Sequence, residues 1–260
     1  VKGFVKCMSS PRKPGIDESA AARRIFREIG LAEVMDGYPS IDRLIIVPDG
    51  PLHFLPFESL ILPGPGRIRY LVERYRVSYA PSATIYYWMK TKPALDSRAR
   101  GILAFGDPDY ASDRLLSRRR ERSKDLFLDI YLDHGFELKR LARSRKEILN
   151  AASYFRKEER SVYLGTGANE ASVLKNFSRS FQVVHFACHV YVDTRQSIRS
   201  ALVLAADPET GDDGFLQVRE LYNRRIEANL VVLSACQTGQ GRLEAGEGIL
   251  GLPRIFFYAG

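Results

Sequence analysis

The chain has 260 residues, 45% hydrophobic and 27% charged, with a formal net charge of +8. That is enough for one large domain or two modest ones with a substantial core. No window approaches 18 uninterrupted apolar residues, which excludes a transmembrane helix, and the N-terminal VKGFVKCMSSPRKPG has no apolar stretch, which excludes a signal peptide. Three cysteines, Cys7, Cys188 and Cys236, cannot all pair. With two of them on apolar strands, they fit a reducing, cytoplasmic compartment better than a disulfide framework. No CxxC pair or His/Cys metal spacing occurs, so neither a zinc site nor another cofactor is expected. The absence of an initiator Met and the apolar ending at Gly260 are read as the ends of a piece cut from a longer protein.

In chain order, DESAAARRIFREI (17–29) predicts an amphipathic helix closed by Gly30. Arg43 to Val47 predicts a strand stopped by Pro48-Asp49-Gly50, and the proline-flanked Pro51 to Phe57 reads as extended edge structure. Tyr75 to Tyr79 is a further strand, and Pro81-Ser82 opens an aromatic-rich helix through about Lys90. Ile102 to Phe105 is a strand ended by Gly106-Asp107-Pro108. From about Tyr110 to Leu138 the pattern weakens and charge rises, which reads as a linker, with a first half at 1–136 and a second at 137–260.

The alternation then resumes. Ser144 to Phe155 is helical, Val162 to Leu164 a strand, and Asn169 caps a helix through about Phe177. Phe181 to Ala187 and Ser200 to Ala205 are strands, Gln217 to Tyr222 a short helix, Leu230 to Ser234 a buried strand, and Glu247 to Tyr258 the final helix. Such alternation implies an α/β fold, a mostly parallel sheet flanked by helices.

Chemistry concentrates at two strand ends. In VVHFACHV, His185 lies mid-strand and reads as a packed histidine with bonded nitrogens, whereas His189 lies at the strand end. In NLVVLSACQTGQG, Cys236 follows a core strand, where an α/β sheet opens its ligand crevice. A thiol needs a neighbouring base to become a nucleophile. A Cys-x-x-Gly at one strand end, with a His about 50 residues upstream at another, is a caspase-type arrangement. Pattern alone leaves Cys236 open between that role and a small buried hydrophobe. The basic run Arg114, Arg118–Arg120, Arg122 and Lys124, continued by Lys139, Arg140, Arg143, Arg145 and Lys146, is likewise open. It is either a solvated face or a contact for nucleic acid or an acidic partner.

Several blocks together resemble the CHAT domain, a caspase-like and separase-related cysteine peptidase module usually found behind TPR repeats. They are LIIVPDGPLHFLPFESL, YAPSATIYY, LAFGDPDY, LARSRKEILNAASYF, LGTGANEASVLKNF, VVHFACH, SALVLA, LVVLSACQTG and GEGILGLPRIFFYAG, in the family's order. The resemblance implies a caspase-like fold with a protease-like, non-catalytic first half. It also implies a thiol protease (a hydrolase) with His189 as general base, Cys236 as nucleophile, and the backbone N–H groups of Cys236 and Val190 holding the oxyanion. Asp193, Gln237 and Glu244 are candidates for the pocket that selects the residue before the cut. The family usually has Gly where this chain has Val190, and a strand and helix normally follow the GEGILGLPRIFFYAG helix. The departure at Val190 leaves a second reading, an inactive scaffold module. Expected partners are a protein substrate and an upstream TPR region; members of the family also occur with CRISPR effectors and beside gasdermin-like substrates.

Overall fold

The computed structural model describes residues 18–91, 98–110, 138–193, 196–207, 210–222, 224–234 and 247–259. The chain divides into two compact units, Val1–Lys92 with Ala245–Glu247, and Pro93–Glu244 with Gly248–Gly260.

In the first unit, α1 (Glu18–Glu28) and α2 (Leu31–Gly37) meet at Gly30. Ala22, Ile25 and Phe26 recur at helical spacing and are buried with Leu44, Leu60 and Leu71. β1 (Arg43–Ile46) pairs in parallel with β2 (Arg76–Tyr79). The stretch expected to be extended between them instead forms 3-10 turns at Gly50–Phe54 and Phe57–Ser59. Pro51 suits the first of these, because a proline at the start of a helical turn gives up an N–H that would be unpaired anyway. Ser82 Oγ accepts the Ile85 N–H at 3.1 Å and so caps α3 (Ala83–Thr91).

The second unit is a layered α/β structure. Its four-stranded sheet has the order β4-β3-β5-β9, from β3 (Ile102–Pro108), β4 (Arg160–Gly165), β5 (Phe181–Ala187) and β9 (Ala228–Leu233), and every pairing is parallel. β3 lies N-terminal to residue 137, yet it is a central strand of this sheet, buried along its whole length. Its side chains alternate between the two faces. Ile102 and Ala104 pack with Ile148 and Ala152 of α4 (Ala142–Ser153). Leu103 and Phe105 pack on the other face with Val173 of α5 (Glu170–Asn176), Leu221 of α6 (Val218–Leu221) and Leu252, Ile255 and Phe256 of α7 (Glu247–Ala259). This parallel sheet with helices on both faces is the caspase-like arrangement the sequence implied.

A second sheet was not foreseen. β6 (His189–Tyr191), β7 (Ala201–Val203) and β8 (Phe215–Gln217) form an antiparallel three-stranded sheet. Gln217, expected to begin a helix, ends β8 and caps α6: its N–H donates to Glu220 Oε2 at 2.7 Å. Among the described residues, no helix is long and apolar enough to cross a membrane.

Candidate active site

From β3 the chain steps outward to β4 on one side, then to β5 on the other. The C-terminal ends of β3 and β5 therefore flank the point where strand order reverses, where open α/β sheets bind ligands. β5 is a near-continuous apolar run because parallel strands are covered on both faces. At Cys188 the chain leaves the parallel sheet, and His189 begins β6 opposite Val203 of β7.

His189 is 2% exposed. Its Nε2 lies 2.7 Å from the Lys139 carbonyl oxygen. A carbonyl only accepts, so Nε2 carries the proton and the lone pair belongs to Nδ1. The His189 N–H donates to Tyr110 Oη at 3.1 Å, and that hydroxyl donates to the Val203 carbonyl at 3.2 Å. The two rings pack with centroids 5.1 Å apart, tilted by 41°. Burial pushes the imidazole below its ordinary pKa, and the bond to Lys139 opposes part of that. Burial also raises the pKa of the Tyr110 hydroxyl, which keeps it neutral. A buried histidine that stays neutral near pH 7, with one nitrogen anchored, is suited to accept a proton on the other.

The residues around His189 take different roles. His185 Nε2 donates to Glu147 Oε1 of α4 at 3.0 Å, so it is a satisfied core histidine as expected. Cys188 is fully buried, and burial pushes its thiol up to about 12, which makes it inert as a nucleophile. Val190 pairs with Leu202 and packs against the main core. Among the described residues only Asp107 combines a side chain with positive φ, so Val190 needs no glycine-like conformation in this fold. Asp193 closes the loop after β6: its N–H donates to Ser200 Oγ at 3.1 Å and its Oδ1 accepts the Gln196 N–H at 2.9 Å.

Cys236, Gln237 and Glu244 lie outside the described residues, as do Arg114, Arg118–Arg120, Arg122 and Lys124 of the basic run. The last described residue before Cys236's segment is Ser234, whose N–H donates to the Phe186 carbonyl at 2.8 Å.

One cluster had no counterpart among the expected site residues. The Asp107 carboxylate is 1% exposed and receives Arg140 Nε at 2.8 Å, Arg140 Nη2 at 2.7 Å and Arg145 Nε at 3.0 Å. The Arg140 guanidinium, first, and that of Arg145 hold it well below the usual carboxylate range. Part of the basic run is therefore neutralised within the fold. The signal lay in FGDPDY, where an Asp and a Tyr follow a central strand into the crevice, but Gly106-Asp107-Pro108 reads equally well as a plain strand stop.

A family model of the CHAT domain matches residues 19–260, and the chain belongs to that family, a family of caspase-like peptidases. No curated protein matches the chain.

Proposed function

We propose that the protein is a cysteine endopeptidase acting on a protein partner through His189 and Cys236. The observation that carries this reading is the strand register. Phe186 of β5 pairs with Leu233 of β9, an offset of 233 − 186 = 47 residues, and 236 − 189 = 47 as well. The two strands thus run out at the same rim, next to the reversal of strand order. Cys236 is two residues beyond Ser234, and His189 two beyond Ala187, a reach of at most about 7 Å each.

In this reading Cys236 Sγ–H gives its proton to His189 Nδ1 and the thiolate attacks the substrate carbonyl carbon. Backbone N–H groups, with those of Cys236 and Val190 as candidates, stabilise the resulting oxyanion. As the C–N bond breaks, His189 returns the proton to the leaving amine and an acyl-enzyme remains. Water, deprotonated by His189, then releases the acid and restores the thiol. The Lys139 carbonyl holds the imidazole throughout and stabilises the imidazolium, while burial keeps the resting ring neutral. The first half as a non-catalytic support, and an upstream TPR region or partner as the regulator, belong to the same proposal.

The test compares new protein N-termini in a cell lysate treated with wild type, Cys236→Ala and His189→Ala. Cuts made only by the wild type are expected. Cuts that persist with Cys236→Ala would overturn the reading.

A further inference from the structure

Residues 138–141 form an irregular segment, so no helix or strand ladder fixes the Lys139 carbonyl that holds His189. The Arg140 side chain, which extends from the residue after that carbonyl, is held by Asp107. We infer that Asp107 is a positioning residue for His189, clamping Arg140 and the start of α4 so that the Lys139 carbonyl stays fixed on the imidazole. Its catalytic consequence rests on the peptidase reading above; the geometric claim does not.

Three observations converge. First, the Lys139 carbonyl and the Arg140 N–H belong to one peptide plane, and the Arg140 side chain makes a two-point contact with Asp107. A bidentate guanidinium–carboxylate pair fixes direction as well as distance. Second, the clamp continues through the backbone. The Asp107 N–H donates to Ser144 Oγ at 2.7 Å, and that hydroxyl donates to the Leu141 carbonyl at 2.7 Å. Residues on both sides of the α4 start, 140, 141, 144 and 145, are thereby tied to one residue at the end of β3.

Third, Asp107 holds a costly conformation. Its φ is 45°, and the β3–β4 register shifts between Gly106 and Pro108. A side chain in the left-handed region persists only where surrounding contacts over-determine it, and such outliers cluster at functional sites. The bulge turns the Asp107 carboxylate toward α4 at the rim where β5 releases His189. A close approach reinforces the placement, since a Cβ at Gly106 would meet Ile148 Cγ1 at 2.5 Å and the Ser144 carbonyl at 3.2 Å. The groups facing His189 and this clamp are Tyr110 from beyond β3, Arg140 and Arg145 from the α4 start, and buried Cys188 beside it.

The test uses the full chain with 15N-labelled histidine, read by NMR at His189, and peptide-resolved mass spectrometry of Cys236 alkylation by iodoacetamide across pH. Arg140→Gln is the first variant, because its side chain is 67% exposed and Arg145 remains on Asp107. Asp107→Asn is the second, and Arg143→Gln is a charge-matched control at an exposed position. The wild type is expected to show a protonated, slowly exchanging Nε2, and Arg143→Gln the same. In Arg140→Gln and Asp107→Asn the tautomers should mix, and Cys236 alkylation should slow about ten- to a hundred-fold. An unchanged Nε2–H signal in folded Arg140→Gln would overturn the positioning role, whether or not Asp107→Asn folds. Wild-type Cys236 alkylating with an ordinary thiol's pH profile would instead overturn the peptidase reading, and the NMR result would still decide the clamp.

Discussion

His185 and His189 both reach toward the α4 side of the sheet, but their Nε2 atoms meet different kinds of acceptor. His185 donates to the Glu147 carboxylate at 3.0 Å, and His189 to the Lys139 backbone carbonyl at 2.7 Å. Either acceptor fixes the tautomer, so what separates the two rings is position: His185 lies within β5, whereas His189 begins β6 beyond the strand end.

The two should therefore separate on substitution. His189→Ala is expected to return Cys236 alkylation to an ordinary thiol's pH profile. His185→Ala should keep the wild-type profile while lowering stability by about 1–3 kcal/mol, through the cavity left by a buried ring. Alkylation profiles and urea unfolding of the same preparations check both.

Stability should fall as pH rises through a window set by Glu170. Its side chain is 3% exposed, its Oε1 accepts the Gly214 N–H at 2.6 Å, and burial, with Asp213 and Glu220 nearby, pushes its pKa up to about 8. A pKa raised on folding gives stability that is complete below the ordinary value near 4.5 and lost as pH rises through the folded value. Glu170→Gln should match the wild type near pH 5 and exceed it by on the order of 1–2 kcal/mol at pH 8.5. Urea titrations at the two pH values measure the difference.

Phe186 is the packing centre of the sheet's larger core. Its ring stacks on Phe105 at 5.2 Å and lies 5.8 Å from Phe256, and Phe105 stacks in turn on Tyr163 at 5.1 Å. Phe186→Ala is expected to cost about 3–5 kcal/mol, by lost transfer energy and the cavity left. Denaturant midpoints give the value.

Gly106→Ala should cost about 1–3 kcal/mol, since the added methyl would have to push Ile148 and the α4 backbone away from β3. Slower Cys236 alkylation should accompany the loss of stability, because α4 carries Arg145 and follows Lys139.

The parallel sheet was legible because β3, β5 and β9 are short apolar runs separated by helical patterns. The N-terminal cap of α5 was equally plain: Asn169 Oδ1 accepts the Ser172 N–H at 2.9 Å. The break at Cys188 was not legible. VVHFACHV contains no Gly or Pro, and its β-forming residues suit one long strand as well as two short ones. Pairing with Ala201–Val203, 10 to 14 residues further on, ends β5 and starts β6. The Asp107 clamp was hidden for a related reason: Arg140 and Arg145 sit within a run of like charge, and their shared partner lies more than 30 residues upstream.

The place of β3 at the middle of the sheet has a consequence for how the protein comes into being. Ile102 pairs with Arg160 on one side and Val183 on the other, so the sheet closes only over long chain separations. Such topologies fold slowly, because loop entropy is lost before distant contacts repay it. As the chain emerges from the ribosome, β9 follows the other described strands of this sheet. The rim on which His189 sits is therefore assembled late, since β9 can pair with β5 only once the chain has been made through Leu233.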